Sequence, residues 1–253
     1  MDSTGRLLKY DAKTKEVTVL FRNLSLAAGV AVDEEEKFVM VTDFTANRTR
    51  KITHFRFWLA AAWVDPRIDS GLLPTGVRIN GNGTVLETVN LERWYGNKSV
   101  FEVQEFAISF TKIRLPKNAT GPEALAFELT IPRFFTGIAD GRILKYLGPA
   151  IGFEEFGFAA PNRPKSVCDG TETANPNPVC GRPLGMALHH RTNQLYVCDA
   201  FFRFGVLGPR GGLVTQLSIA ADGEPYRFCN GVDVHQPTGN VYFTNASSIF
   251  DIT

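Results

Sequence analysis

Apolar and polar positions along this chain fall into short blocks rather than long amphipathic stretches. From Gly185 it reads GMALHHRTNQLYVCD, from Gly231 GVDVHQPTGNVYFTN, and from Gly29 GVAVDEEEKFVMVTD. Each block opens on a glycine and runs through an apolar strand, a polar turn and a second apolar strand. Each sets Asp or Asn fourteen residues after its glycine, at Asp43, Asp199 and Asn245. A weaker copy, ALAFELTIPRFFTGI, starts at Ala124, and a hexapeptide recurs as GRLLKY at Gly5 and GRILKY at Gly141. Short strands repeating at this period predict a radial array of small sheets, each burying its apolar faces against its neighbours.

The segments between the copies fit the same class. Residues 5–20 alternate as a hairpin about the DAKTK turn, and residues 76–90 carry an N-G-N-G turn between two strands. Residues 99–115 are rich in strand-forming residues, whereas residues 44–75 are irregular. FRFWLAAAWV within them reads equally as a helical turn or a buried strand. No segment keeps a helical period beyond about three turns, so the expected class is all-β.

Composition adds less. The 253 residues are 44% hydrophobic and carry a net charge of +1 with no basic or acidic block, which gives no electrostatic reason to invoke nucleic acid or an anionic membrane. The longest apolar run, around Phe57 to Val64, is too short to span a bilayer. The residues after Met1, DSTGRLLKYD, do not read as a signal peptide. Six glycosylation sequons nonetheless point to a secretory route: Asn23, Asn47, Asn82, Asn97, Asn118 and Asn245.

Cys168 and Cys180 bracket a polar loop rich in Pro and Asn. A disulfide there would staple a segment with no core of its own, and the alternative is two unrelated thiols. Cys198 and Cys229 read as buried small hydrophobes. His189, His190 and His235 fall in turns and read as solvated. No serine stands in a G-x-S-x-G context, and no His/Cys cluster suggests zinc.

Several motifs coincide in one resemblance. TGPEALAF, FTGIADGRILKY, the Cys168 and Cys180 pair, CGRPLG, NGVDVHQPTGNVYFTNAS and TGRLLKYDAKTKEVTVL together resemble the plant strictosidine synthase family, especially its synthase-like members. The resemblance implies a six-bladed β-propeller related to calcium-dependent phosphotriesterases, paraoxonases and gluconolactonases, with one blade shortened over residues 44–75. It implies a secretory or vacuolar protein of alkaloid-type chemistry that acts on a small molecule. It also implies an unusual order. The block resembling 112–253 comes first in the family and that resembling 1–105 second, the reverse of this chain. Either the ring is circularly permuted, which a closed array of neighbour-packed blades tolerates, or parts of two adjacent gene copies are joined. In the family arrangement a leader would precede Lys112.

The same resemblance locates candidate chemistry. Residues just before the repeat starts should face the axial mouth: Glu123, Leu184, Asn230 and Ala28, with Thr75 a weaker member. Glu123 and Asn230 offer the hard oxygens that Ca²⁺ takes, and the alternative is that both satisfy backbone donors. The family condenses an amine with an aldehyde using one glutamate. Aligning VFEVQE on the family's run puts Phe101 at that glutamate's place and Glu102 one position later, on the opposite face of a regular strand. Phe228, Leu184, Phe101 and Ala28 would line the substrate pocket. True strictosidine synthesis is therefore not the expected activity. The expected one is condensation through Glu102 or metal-assisted ester or lactone hydrolysis, with a non-catalytic binding propeller as the alternative.

Overall fold

The computed structural model describes residues 2–46, 48–53, 76–79, 85–89, 113–129, 133–172 and 176–252. These build an all-β propeller. Blade I joins β8 (Leu125–Phe127), β9 (Phe134–Gly137), β10 (Arg142–Tyr146) and β11 (Phe153–Phe158) in one antiparallel run. The short β15 (Gly212–Leu213) adds to its outer edge in parallel. Blade II orders β12 (Pro183–His189), β13 (Gln194–Asp199), β14 (Arg203–Leu207) and β16 (Thr215–Ser218). Blade III draws on both ends of the chain: β19 (Cys229–Val234) and β20 (Val241–Asn245) are followed by β1 (Gly5–Tyr10) and β2 (Val17–Leu24). Blade IV is β3 (Ala27–Val32), β4 (Phe38–Asp43) and β5 (Arg48–Thr53). Strands β6 (Gly76–Ile79) and β7 (Val85–Val89) pair as the expected hairpin, and β17 (Ala220–Ala221) pairs with β18 (Glu224–Pro225). A four-residue helix, α1 (Lys165–Cys168), lies between blades I and II. The segments read as a shortened blade and a strand-rich run, 54–75 and 99–112, lie outside the described residues.

The joint in blade III is an antiparallel ladder from Arg6 opposite Asn245 to Tyr10 opposite Val241. Beyond it, Ser248 N and Oγ donate to Thr4 Oγ1 and Thr4 O at 2.9 and 3.2 Å. Arg6, wholly buried, adds bonds to the carbonyls of Ala221, Glu224 and Pro225.

Each apolar cluster is a seam between two blades, which explains why the strands read as unbroken apolar runs. Successive side chains of a strand point to opposite faces. In β20, Val241 and Phe243 pack toward blade II with Tyr196, Phe204 and Leu8, while Tyr242 packs toward blade IV with Val39 and Val41. Leu195 and Val197 of β13 join Phe135 and Ile143 of blade I, while Tyr196 and Cys198 face blade III. A sheet covered on both sides needs apolar residues at every position. The rings of Phe204 and Phe243 stack at 4.2 Å across the seam between blades II and III.

Candidate functional site at the axial mouth

The first strand of each blade lies innermost, and three adjacent ones share a defect. In blade II the register shifts between Pro183 and Gly185, in blade III between Cys229 and Val232, and in blade IV between Ala27 and Val30. The extra residues include Leu184, Asn230 and Ala28. A bulge breaks the alternation of a strand and re-aims a side chain, which is why bulges recur beside binding sites. The repeat glycines make the close packing of these strands possible. A Cβ at Gly185 would lie 2.1 Å from the Asn230 carbonyl oxygen, and one at Gly231 would lie 2.3 Å from that of Ala28. Leu184, Asn230 and Ala28 therefore stand at one level on neighbouring inner strands. Leu184 is buried, while Ala28, Phe228 and Asn230 are half-buried.

The Asp or Asn fourteen residues after each glycine holds this end of the blade. Asp199 Oδ2 accepts from Arg182 N at 2.8 Å, and its Oδ1 accepts from Phe201 N and Phe202 N at 2.8 and 2.9 Å. Asn245 Oδ1 accepts from Phe228 N at 3.1 Å, and Asp43 Oδ1 accepts from Ser25 N at 2.5 Å. All three side chains are buried. Burial pushes the Asp199 carboxyl above its ordinary pKa, against the pull of its three backbone donors.

Glu123 is held in an ion pair. Its carboxylate, half-exposed, meets the buried Arg182 guanidinium at 3.6 Å, and Arg182 Nη1 donates to the Gly121 carbonyl at 2.9 Å. A dication there would sit against a fixed positive charge, with Asn230 as the remaining side-chain oxygen of the expected pair. Among the described residues no cluster of His, Cys, Asp and Glu could hold a metal ion. Asn230 has no side-chain hydrogen bond among the described residues and is free to bind. Phe101, Glu102 and Thr75 lie outside the described residues.

Asp233 is a buried carboxylate between inner strands, toward the end away from the mouth, that the sequence pattern did not single out. On β19, two residues beyond Gly231, its carboxylate accepts from Val32 N on the next inner strand and from Val234 N, both at 2.8 Å. Burial pushes its pKa up. One apolar-strand position occupied by Asp was the available signal.

The turn histidines are not solvated. His189 and His235 are buried, and each Nε2–H donates to the next blade: His189 to the Gln236 carbonyl at 3.0 Å, His235 to that of Glu34 at 2.8 Å. They clamp blade to blade on the face away from the mouth. Their neighbours in sequence are polar, which hid the fact that each turn is covered by the following one. His190 is half-buried, and burial lowers its pKa.

Cys168 and Cys180 form a disulfide that closes the loop before blade II. Asn23 and Asn118 are exposed. Asn245 is fully buried with its amide bonded to Phe228 N and Ser248 Oγ, so the folded chain has no room for a glycan there. Asn47, Asn82 and Asn97 lie outside the described residues.

Comparison with known proteins places this architecture. The strictosidine synthase family profile matches residues 1–55. STRICTOSIDINE SYNTHASE-LIKE 12 of Arabidopsis thaliana is 44% identical over 142 residues, 56% of this chain and 42% of that protein. Over about half its length, the chain is similar to strictosidine synthase family proteins. Strictosidine synthase of Catharanthus roseus is 36% identical over 140 residues, 55% of this chain and 40% of that protein. The matched stretches thus span less than half the length of these strictosidine synthase relatives. A TolB structure from Agrobacterium tumefaciens superposes over 96% of this chain and 98% of its own with a TM-score of 0.57 at 8% identity, which bears on the fold alone. No helix among the described residues is long and apolar enough to cross a membrane.

Proposed function

We propose that this strictosidine synthase-like propeller takes an apolar small molecule at its axial mouth, anchored by the Asn230 carboxamide and walled by Leu184, Ala28 and Phe228. The observation that carries this reading is the bulge repeated in three adjacent inner strands, which gathers those residues at one level. An apolar wall with few oriented polar groups is the usual make-up of a small-molecule site. With the Glu123 carboxylate paired to Arg182, condensation is favoured over metal-assisted hydrolysis. Proton shuttling for an amine–aldehyde condensation would fall to Glu102, the carboxylate nearest the family's catalytic position in sequence. The disulfide and the exposed sequons at Asn23 and Asn118 support a secretory or vacuolar setting.

The test is a thermal-shift screen of aryl-ethylamines, small aldehydes, aryl esters and lactones, followed by product analysis of any that bind. A ligand at a hundredfold its Kd stabilises by about 2.7 kcal/mol. The expected outcome is a rise in melting temperature with an amine or aldehyde that Asn230→Leu abolishes, and condensation that Glu102→Gln removes. Failure of every compound to shift the melting temperature would overturn the binding role. Binding with no product, in the wild type, would instead favour the non-catalytic propeller, for which the side chains of Leu184 and Ala28, without acid or base, already speak.

A further inference from the structure

The seam between blades II and III holds two thiols that the mouth does not use. Cys198, on β13, and Cys229, at the start of β19, are free and fully buried. Both reach into the same seam, and Cys198 Sγ donates to the carbonyl of Gly231, two residues beyond Cys229, at 3.6 Å. Both pack within one apolar cluster, beside Phe204, Tyr226 and Phe243. The two side chains thus reach the same seam from neighbouring blades within a few residues of each other, and such proximity is the first requirement for a bond between them. Cys198 is two residues from the turn that carries Phe201 and Phe202, and Cys229 immediately precedes Asn230.

We propose that Cys198 and Cys229 form a second, reversible disulfide that ties blade II to blade III directly beneath the mouth. The oxidant is a small disulfide of the glutathione class, RSSR. One cysteine thiolate attacks a sulfur of RSSR and expels RS⁻, which takes up a proton. The second cysteine thiolate attacks the protein-bound sulfur of the mixed disulfide and expels a second RS⁻. The pair loses two protons and two electrons, and RSSR becomes two RSH. Burial pushes the Cys198 thiol up, which holds the reduced pair inert until the seam opens. The exchange is therefore slow in the closed propeller and faster under mild denaturant.

The experiment incubates the whole protein with glutathione disulfide, quenches with acid, alkylates under denaturing conditions and maps tryptic peptides. The expected result is a linked pair, residues 192–203 with 228–253, accompanied by loss of both alkylatable thiols and reversed by excess reduced glutathione. Cys198→Ser and Cys198→Ala both lose that link while Cys168 and Cys180 stay joined. The wild-type map stands alone if neither variant folds. Recovery of Cys198 and Cys229 as separately alkylated peptides, or each carrying glutathione without the cross-link, would overturn the proposal.

Discussion

At the scale of single residues, the repeat glycines are set by steric need. Gly231 backs onto the Ala28 carbonyl, and neither backbone can move without parting two blades. Gly231→Ala is expected to cost about 1–3 kcal/mol. Gly208→Ala, where a Cβ meets nothing within 4 Å, should be neutral or stabilising by less than about 1 kcal/mol. Urea denaturation of the two variants reads the difference, and equal stabilities would contradict the packing described. The glycines and the Asp or Asn that follows them were legible because both recur at fixed spacing. What the pattern left open was their purpose. Asp43, Asp199 and Asn245 each turn inward to accept backbone N–H groups. Glu123 was legible as a carboxylate just before a repeat start, but its partner Arg182 lies far off in sequence, and only the fold brings the two together.

At the scale of elements, strands buried on both faces announced themselves as apolar runs, and both copies of the hexapeptide became third strands of their blades, β1 and β10. The outer strand β5 did not announce itself. RTRKIT carries three cations, and two of them find partners: Arg50 pairs with Asp43 at 3.0 Å and lies over Phe21, and Lys51 lies over Phe38. An outer strand needs only one apolar face, and cations resting on rings satisfy it without apolar residues. The loop closed by Cys168 and Cys180 is the opposite case, with little apolar content to hold it. Opening a ring of twelve residues costs about 2–3 kcal/mol in chain entropy. Cys168→Ser with Cys180→Ser should lower the melting temperature and expose residues 169–179 to limited proteolysis. An unchanged cleavage pattern would show that the loop is held by its hydrogen bonds instead.

For the whole molecule, stability resides in the seams, and one seam is tuned by charge. Glu36, on the turn of blade IV, accepts from Tyr242 OH and Asn240 Nδ2 of blade III, both at 2.6 Å, with Lys9 Nζ at 3.5 Å. Burial raises its pKa, but the bonds from Tyr242 and Asn240, with Lys9 and His235 nearby, bring it below the ordinary value. A carboxyl depressed by folding stabilises above its unfolded pKa, and that contribution is lost as pH falls through the folded one. Glu36→Gln should therefore lower the melting temperature at neutral pH and lose less of it on acidification below the ordinary glutamate range. Parallel melting curves for variant and wild type across that range would remove Glu36 from the account.

Blade III also sets a schedule for biosynthesis. Strands β1 and β2 leave the ribosome before β20, which covers the inner edge of β1 and follows more than two hundred residues later. At a synthesis rate of about 5–20 residues per second, Leu7, Leu8 and Tyr10 wait roughly 10–50 s for their partner, with an unpaired strand edge on display throughout. Blade III is therefore completed only after both of its widely separated segments have been made.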